Sequence, residues 1–464
     1  MGPVLDYVAR RWLPVTAIIL VSIIVCAYIF IAASVDAADT FYLVFIAGSF
    51  GPPVIAIVVT ERGIRELDPL SPFILVPLTL GIVFGSAPSL LAFMGYSETA
   101  SEVGRGLAWG MLAYLLGAVA ASLAIPTPRP LDDVSRRIRG ELDPGILYAV
   151  YGTGAFAMIW YWYRAGGIPI LEPDVENARL AALTGGGLPF YLSMLMMVSV
   201  WLLCSPACTR TSTGVRCTLV LMTVLLLTST GWRNTVFAFI VVLLMIRQYT
   251  RPIKTISILL AGILAILGAV AIGLYRVYSS GLANYETFQL LSTGNYGGAI
   301  SKYLTTYFNA FGLNIGAVYS LFPDIIPFKG GETIVWNYLA LLPGESRQPF
   351  DFVLKDAAGQ GFAGGGLPPT LIGELYLNFG TSGVAIGMAI IGAFATLIHA
   401  LLKITGRVDV LIISILLIYY LFVAVRGGIG NVSMTVVWLA VAVWAVSRLA
   451  SGSRNRTERS TGKV

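Results

Sequence analysis

Long apolar runs recur from end to end of this chain, and no soluble fold can accommodate them. A helix needs about 20 mostly apolar residues to cross roughly 30 Å of hydrocarbon, since backbone polar groups in lipid must be satisfied within the segment. Such runs lie near 15–33, 41–60, 73–94, 106–125, 146–164, 188–206, 216–230, 234–247, 255–275, 381–402, 409–425 and 432–449. The composition agrees: 57% of the 464 residues are apolar and 12% charged, against about 45–50% and about 25% in soluble domains. That excludes a soluble enzyme, a disordered scaffold and a nucleic-acid partner. The chain reads as an all-α polytopic membrane protein of about 12 transmembrane helices, with residues 1–464 forming a single transmembrane domain.

Two runs need separate treatment. The first follows Arg10 and Arg11 like a signal peptide, but its apolar stretch exceeds the usual h-region of about 7–15 residues, so it reads as an uncleaved span. The seventh and eighth are short and joined tightly through Ser229-Thr230-Gly231-Trp232-Arg233, which also suits a helical hairpin that does not fully cross. With an even number of spans both termini fall on one side. Most of the 30 Lys and Arg then gather in the segments on that side, and every short loop there is basic. The positive-inside rule makes it the cytoplasm.

The longest soluble segment, 276–380, is thereby external. A connection this long is usually functional or disordered. Its aromatics, Tyr278, Tyr303, Tyr307, Phe308, Phe311, Trp336 and Phe350 among them, predict that it folds against the membrane domain. Within it Tyr303 to Phe322 reads as an interfacial helix and Gly359 to Gly366 as a mobile flap. No internal repeat argues for an inverted-repeat transporter.

External arginines are the informative set: Arg105, Arg164, Arg179, Arg233, Arg276, Arg347 and Arg426. Guanidinium groups make permanent, bidentate contacts with phosphate oxygens. One arginine at a helix end commonly snorkels to the headgroups; several at one face would bind an anionic head such as a lipid diphosphate. Carboxylates are scarce, and Glu374 stands out where it enters the tenth span, since an intramembrane carboxylate is a functional candidate by default. Its alternative role is structural, as partner to an arginine. His399, near the inner end of that span, reads as a packing histidine. Gly380, Gly383, Gly387 and Gly392 give the span a small-residue face for close helix packing. The Cys204-x3-Cys208 pair has no second pair, so no metal site and no cofactor are expected.

Longer motifs carry a resemblance. Gly166-Gly167-Ile168-Pro169-Ile170-Leu171, then Arg179 and Gly185-Gly186-Gly187, resembles a segment of the Wzy-type O-antigen polymerases, which join oligosaccharide repeat units. Trp232-Arg233-Asn234 resembles that family's arginine-bearing turn. Gly330-Gly331-Glu332-Thr333, Leu342-Pro343 and Thr370-Leu371-Ile372-Gly373-Glu374-Leu375-Tyr376-Leu377-Asn378-Phe379-Gly380 resemble its long-loop pattern.

The resemblance implies a GT-C-like membrane glycosyltransferase at the outer face of the cytoplasmic membrane. It would polymerise repeat units carried on a polyprenyl diphosphate, as both donor and acceptor, with a chain-length regulator as a further partner. By motif it transfers roles to Arg179, Arg233 and Glu374, with Tyr376 and Asn378 as sugar contacts. Arg276, Arg347 and Arg426 join them from topology alone. Glu374 would be the base on the acceptor hydroxyl or an organiser of the arginines, and as the base its replacement by Gln would abolish chain extension at intact protein levels. Two other readings stand beside this one: an O-antigen ligase, disfavoured because no histidine lies outside, and a lipid-linked glycan flippase, disfavoured because charges collect outside the spans.

Overall fold

The computed structural model describes residues 70–125, 141–172, 187–251, 255–280, 285–339, 348–360 and 365–461, together with Ser49, Ile138, Val175, Ala178, Ala181, Ala182 and Ile253. The runs near 15–33 and 41–60 lie outside the described residues apart from Ser49, and each of the other ten coincides with helix. In chain order the helices are α1 (Leu75–Phe84), α2 (Ala87–Phe93), α3 (Ser97–Ala124), α4 (Pro144–Ala165), α5 (Gly187–Ser193), α6 (Leu195–Cys204), α7 (Thr213–Ser229) and α8 (Arg233–Thr250). There follow α9 (Thr255–Ser280), α10 (Tyr285–Ser292), α11 (Tyr296–Leu321), α12 (Glu332–Leu339), α13 (Phe350–Ala357), α14 (Leu371–Ile404), α15 (Val408–Gly427) and α16 (Ile429–Thr461). Six stretches of these are long and apolar enough to cross a membrane: Leu75–Phe93, Ser97–Ala124, Gly187–Cys204, Leu371–Ile404, Val408–Gly427 and Ile429–Ser451. The 17-residue α7 reaches about 26 Å at 1.5 Å per residue, a little short of a bilayer core.

Local chemistry sets the boundaries. Asp143 caps α4 by accepting from Gly145 N at 2.8 Å, Pro144 supplies the preset first φ, and Gly166 ends the helix in the left-handed region at φ 77°. Ser212 and Asn295 cap α7 and α11 in the same manner. The segment 276–380 is largely helical rather than an irregular loop. The helix expected over Tyr303 to Phe322 is α11, and its last three turns are buried through Phe311, Ile315, Val318 and Tyr319. The glycine-rich positions 361–364 lie outside the described residues.

Two apolar cores result. One joins α4, α6, α8, α15 and α16 around Trp201, whose ring stacks on Phe239 at 6.3 Å. The other joins α1, α2, α3, α11 and α14 around Phe84, Tyr114 and Phe322. Lipid gives helices no hydrophobic reason to associate, so small residues that let backbones approach carry the packing. Here α3 and α14 cross so closely that a Cβ at Gly117 would overlap the Ala389 carbonyl oxygen, and one at Gly392 the Tyr114 carbonyl oxygen.

The fold of α14 decides the site. Gly380 sits at φ 68°, ψ −162°, a conformation open to glycine, and the helix doubles back there. In a straight helix Leu375 and Gly387 would be about 18 Å apart; instead a Cβ on Gly387 would meet the Leu375 side chain at 2.6 Å. The arm 371–379 therefore lies antiparallel against the body 381–404, and Gly383 and Gly387 are small because this arm rests on them. Backbone N–H groups of Lys329 and Gly330 donate to the carbonyls of Leu377 and Asn378 at 3.0 Å each, closing the arm's free end. Thr370 caps its start from a strained φ of 67°, accepting from Gly373 N at 3.1 Å.

Candidate active site

At the junction of the two cores, two arginines from distant helices reach one face of α11. Arg233 opens α8, where Gly231 (φ 74°) turns the chain and Trp162 Nε1 holds that turn by donating to Ser229 Oγ at 3.0 Å. Arg233 Nη1 donates to Tyr303 Oη at 2.9 Å. One turn along α11, Tyr307 Oη accepts from Arg426 Nη1 at 2.6 Å, and the Arg426 guanidinium lies 6.0 Å over the Phe311 ring. The two tyrosine rings stack with centroids 6.1 Å apart. Gly273 of α9 makes the approach possible, because a Cβ there would collide with Tyr303 and Arg233.

Both guanidinium groups are half-buried, and neither forms an ion pair among the described residues. A guanidinium carries five N–H donors, so each retains donors for an anion. Desolvating an unpaired cation is costly, and a bound anion would offset that cost.

Glu374 and Asn378, one turn apart on the arm, build the frame beside this pair. Both are 1% exposed. Glu374 Oε1 accepts from Thr333 Oγ1 at 3.1 Å, and its two oxygens accept from the backbone N–H groups of Ile429 and Gly430 at the start of α16. A carboxylate at a helix N-terminus satisfies orphan donors and the helix dipole together. Asn378 donates to Thr333 Oγ1 at 2.6 Å and to the Glu374 carbonyl at 2.8 Å, while its Oδ1 accepts from Gly331 N at 2.8 Å. The two side chains thus tie 329–333 and the α15–α16 turn to the arm. Arg426 stands two residues before that turn's Gly428, where a Cβ would press on Glu374. Glu374 forms no ion pair with Arg426; it holds the backbone that follows the arginine, at Ile429 and Gly430.

Two family models match the chain. One, described as "Putative O-antigen polymerase", covers residues 14–293, more than half of it; the other, described as O-antigen polysaccharide polymerase Wzy, covers residues 360–453. The chain belongs to the O-antigen polymerase family. No curated protein and no solved structure matches it. Membership makes this a membrane polymerase of polysaccharide biosynthesis that acts by glycosyl transfer on lipid-linked oligosaccharide units.

Of the residues singled out in the polymerase from its sequence, Arg233 and Arg426 converge on α11, and Glu374 and Asn378 share one network. Tyr376, between them on the arm, faces the other way: its ring stacks on Tyr319 at 3.8 Å. Position 276 lies in α9 one turn beyond Gly273, with its side chain outside the described residues. Arg179 and Arg347 also lie outside the described residues. The sequence brings out Tyr303 and Tyr307 only as loop aromatics and Thr333 only within a motif, with no site role for any of the three. The four-residue spacing of the two tyrosines on a helix was a readable signal for a shared face; their arginine partners, 70 and 119 residues away, were not.

Proposed function

We propose that this polymerase extends a glycan by moving the growing chain from its polyprenyl diphosphate to the non-reducing end of a repeat unit on a second lipid. The observation that carries this reading is the Arg233–Tyr303 and Arg426–Tyr307 pair, two half-buried cations with spare donors at one helix face. An oxygen of the acceptor sugar bonds to the anomeric carbon, the bond from that carbon to the diphosphate breaks, and the diphosphate leaves with the electron pair and takes up the proton released by the acceptor hydroxyl. Negative charge grows on the leaving group, and donors placed beforehand stabilise it most in the transition state. Arg179, Arg276 and Arg347 are further candidates for the same anion. Glu374 serves as organiser, since its oxygens are spent on Thr333 and the start of α16. The basic short loops support a site at the outer face of the cytoplasmic membrane with both termini inside, and the doubled arm 371–379 then enters from that face, sheltered by protein as irregular backbone in a bilayer must be.

The test is the length ladder of lipid-linked glycan in cells whose own copy is replaced by Arg426→Gln or Arg233→Gln. Loss of one such donor costs about 100-fold or more in turnover, so single repeat units should accumulate while membrane protein levels hold. An unchanged ladder in both variants overturns the arginine assignment. Deleting the gene distinguishes the reactions: an intact ladder on carrier lipid with lost transfer to the final acceptor indicates a ligase, and repeat units stranded on the inner face indicate a flippase.

A further inference from the structure

At the other end of the bundle from the arginine pair, the start of α15 and the stretch 447–451 of α16 border a cavity of about 220 Å³. Arg407, Asp409, Ser447, Arg448 and Ser451 supply its polar lining. Leu142 and Ala207 also line it, and backbone holds them there: Leu142 N donates to the Ala207 carbonyl at 2.9 Å, and Asp143 N to that of Ala450 at 3.1 Å. Arg407 grips the buried Asp409 carboxylate, donating from Nε to Oδ1 at 3.1 Å and from Nη2 to Oδ2 at 2.5 Å. Arg448, exposed at the rim, forms no ion pair among the described residues. Glu141, next to Leu142, is paired with Arg210 at 3.5 Å. The cavity thus holds two cations and one carboxylate, a surplus of one positive charge. Ser447 Oγ and Ser451 Oγ donate to the carbonyls of Trp444 and Ser447 at 2.8 Å each, which leaves their lone pairs to accept.

We infer that this cavity holds the headgroup of one anionic phospholipid, of the phosphatidylglycerol type, in the leaflet opposite the Arg426 site. From Arg407 to Arg426 is 19 residues along α15, about 28 Å of rise against the roughly 30 Å of a hydrocarbon core. The cavity therefore stands at headgroup level. Val437, Val441 and Trp444 of α16 are exposed and lead to Arg448 at spacings of four, three and four residues, one face of a helix. The apolar stretch of α16 is the least enclosed of the six, so this face meets lipid. An acyl chain lying along it brings its phosphate to Arg448. A lone arginine at a helix end only reaches toward the headgroups; here a cavity stands behind it, and a basic pocket between membrane helices suits an anionic headgroup. Arg448 and the Nη1 group of Arg407 donate to the phosphate, while Asp409 and the two serine oxygens accept from the glycerol hydroxyls. The volume falls below the about 300–1,000 Å³ of pockets for larger ligands, which fits a headgroup and excludes an oligosaccharide repeat unit.

The test is thermal unfolding of full-length protein, purified in detergent and stripped of lipid, against rising phosphatidylglycerol, phosphatidylcholine or inorganic phosphate. Phosphatidylglycerol should raise the midpoint saturably, since a ligand of the folded state stabilises it by mass action, and the other two should not. Arg448→Gln should move half-saturation about tenfold or more to higher lipid concentration, the usual weight of a hydrogen bond to a charged group. Ser451→Leu, at an exposed position, keeps every charge but fills the cavity's mouth, and should do the same. Arg251→Gln removes an exposed charge at the same end of the bundle, outside the cavity lining, and should leave half-saturation unchanged. An equal rise with phosphatidylcholine, or an unchanged response in both cavity variants, overturns the site. So does a loss in Arg251→Gln as large as in Arg448→Gln, which would mean bulk charge attraction. Stabilisation by inorganic phosphate as strong as by the lipid overturns the lipid and assigns the cavity to a free phosphate.

Discussion

Glu374→Ala is expected to destabilise the protein by about 3 kcal/mol or more and to abolish the glycan ladder, whereas Glu374→Gln is expected to keep most of both. Alanine orphans the backbone N–H groups of Ile429 and Gly430 and removes the Thr333 partner, all at a buried site. Each buried donor left unmade costs about 1–3 kcal/mol, and a lost helix cap about 1 kcal/mol. Glutamine has the same shape: its oxygen can accept from both N–H groups, and its amide can donate to Thr333 Oγ1. An organising carboxylate therefore survives the amide, and a general base does not. Thermal unfolding of purified protein, read beside the ladder, separates the two. If the Gln variant unfolds like the wild type yet makes no polymer, Glu374 is the base after all.

Gly392→Leu is expected to abolish accumulation of the protein in membranes. A Cβ there would overlap the Tyr114 carbonyl, which is backbone of α3 and cannot swing aside like a side chain. Adding bulk to a packed core costs about 1–3 kcal/mol even when side chains can yield; here α3 and α14 must separate, so the cost should exceed that range. Gly152→Leu on α4 is the control, since nothing lies within 4 Å of its Cβ position. Immunoblots of membranes should show the control near wild-type level and Gly392→Leu nearly absent. Equal accumulation of the two would show that the α3–α14 crossing does not hold the fold together.

How far the sequence reaches differs between elements. The apolar run 409–425 located α15 to within two residues at each end, and the runs 106–125 and 432–449 fell on α3 and α16, whose helices continue past the apolar stretch, because hydrocarbon imposes its length and composition on the part of a helix that crosses it. The start of the tenth span was legible too: 381–402 coincides with the body of α14, and Gly380 marks its upper end. The arm 371–379 was not legible as a packed hairpin partner. Its pattern is apolar whether it extends the span or folds back along it, and the choice rests on the φ of a single glycine and the gap left by Gly383 and Gly387. Likewise the small-residue face was readable as a packing surface, but not that two of its glycines receive the arm of the same helix while Gly392 receives α3.

The candidate site divides on the same line. Residue type and topology brought forward Arg233, Arg426 and Glu374, because a cation near a helix end and a carboxylate within an apolar run are unusual by composition alone; Tyr376 and Asn378 came forward only through the family resemblance. Only the tertiary structure decided which of them meet. It sets Arg233 and Arg426 on neighbouring turns of α11 through Tyr303 and Tyr307, spends Glu374 on the start of α16, and turns Tyr376 away toward Tyr319. The physical reason is range: hydrophobic length and charge bias act on each segment separately and are written in local sequence. Hydrogen bonds and ring contacts act over a few ångströms between segments as many as 119 residues apart, and exist only once the two cores have packed.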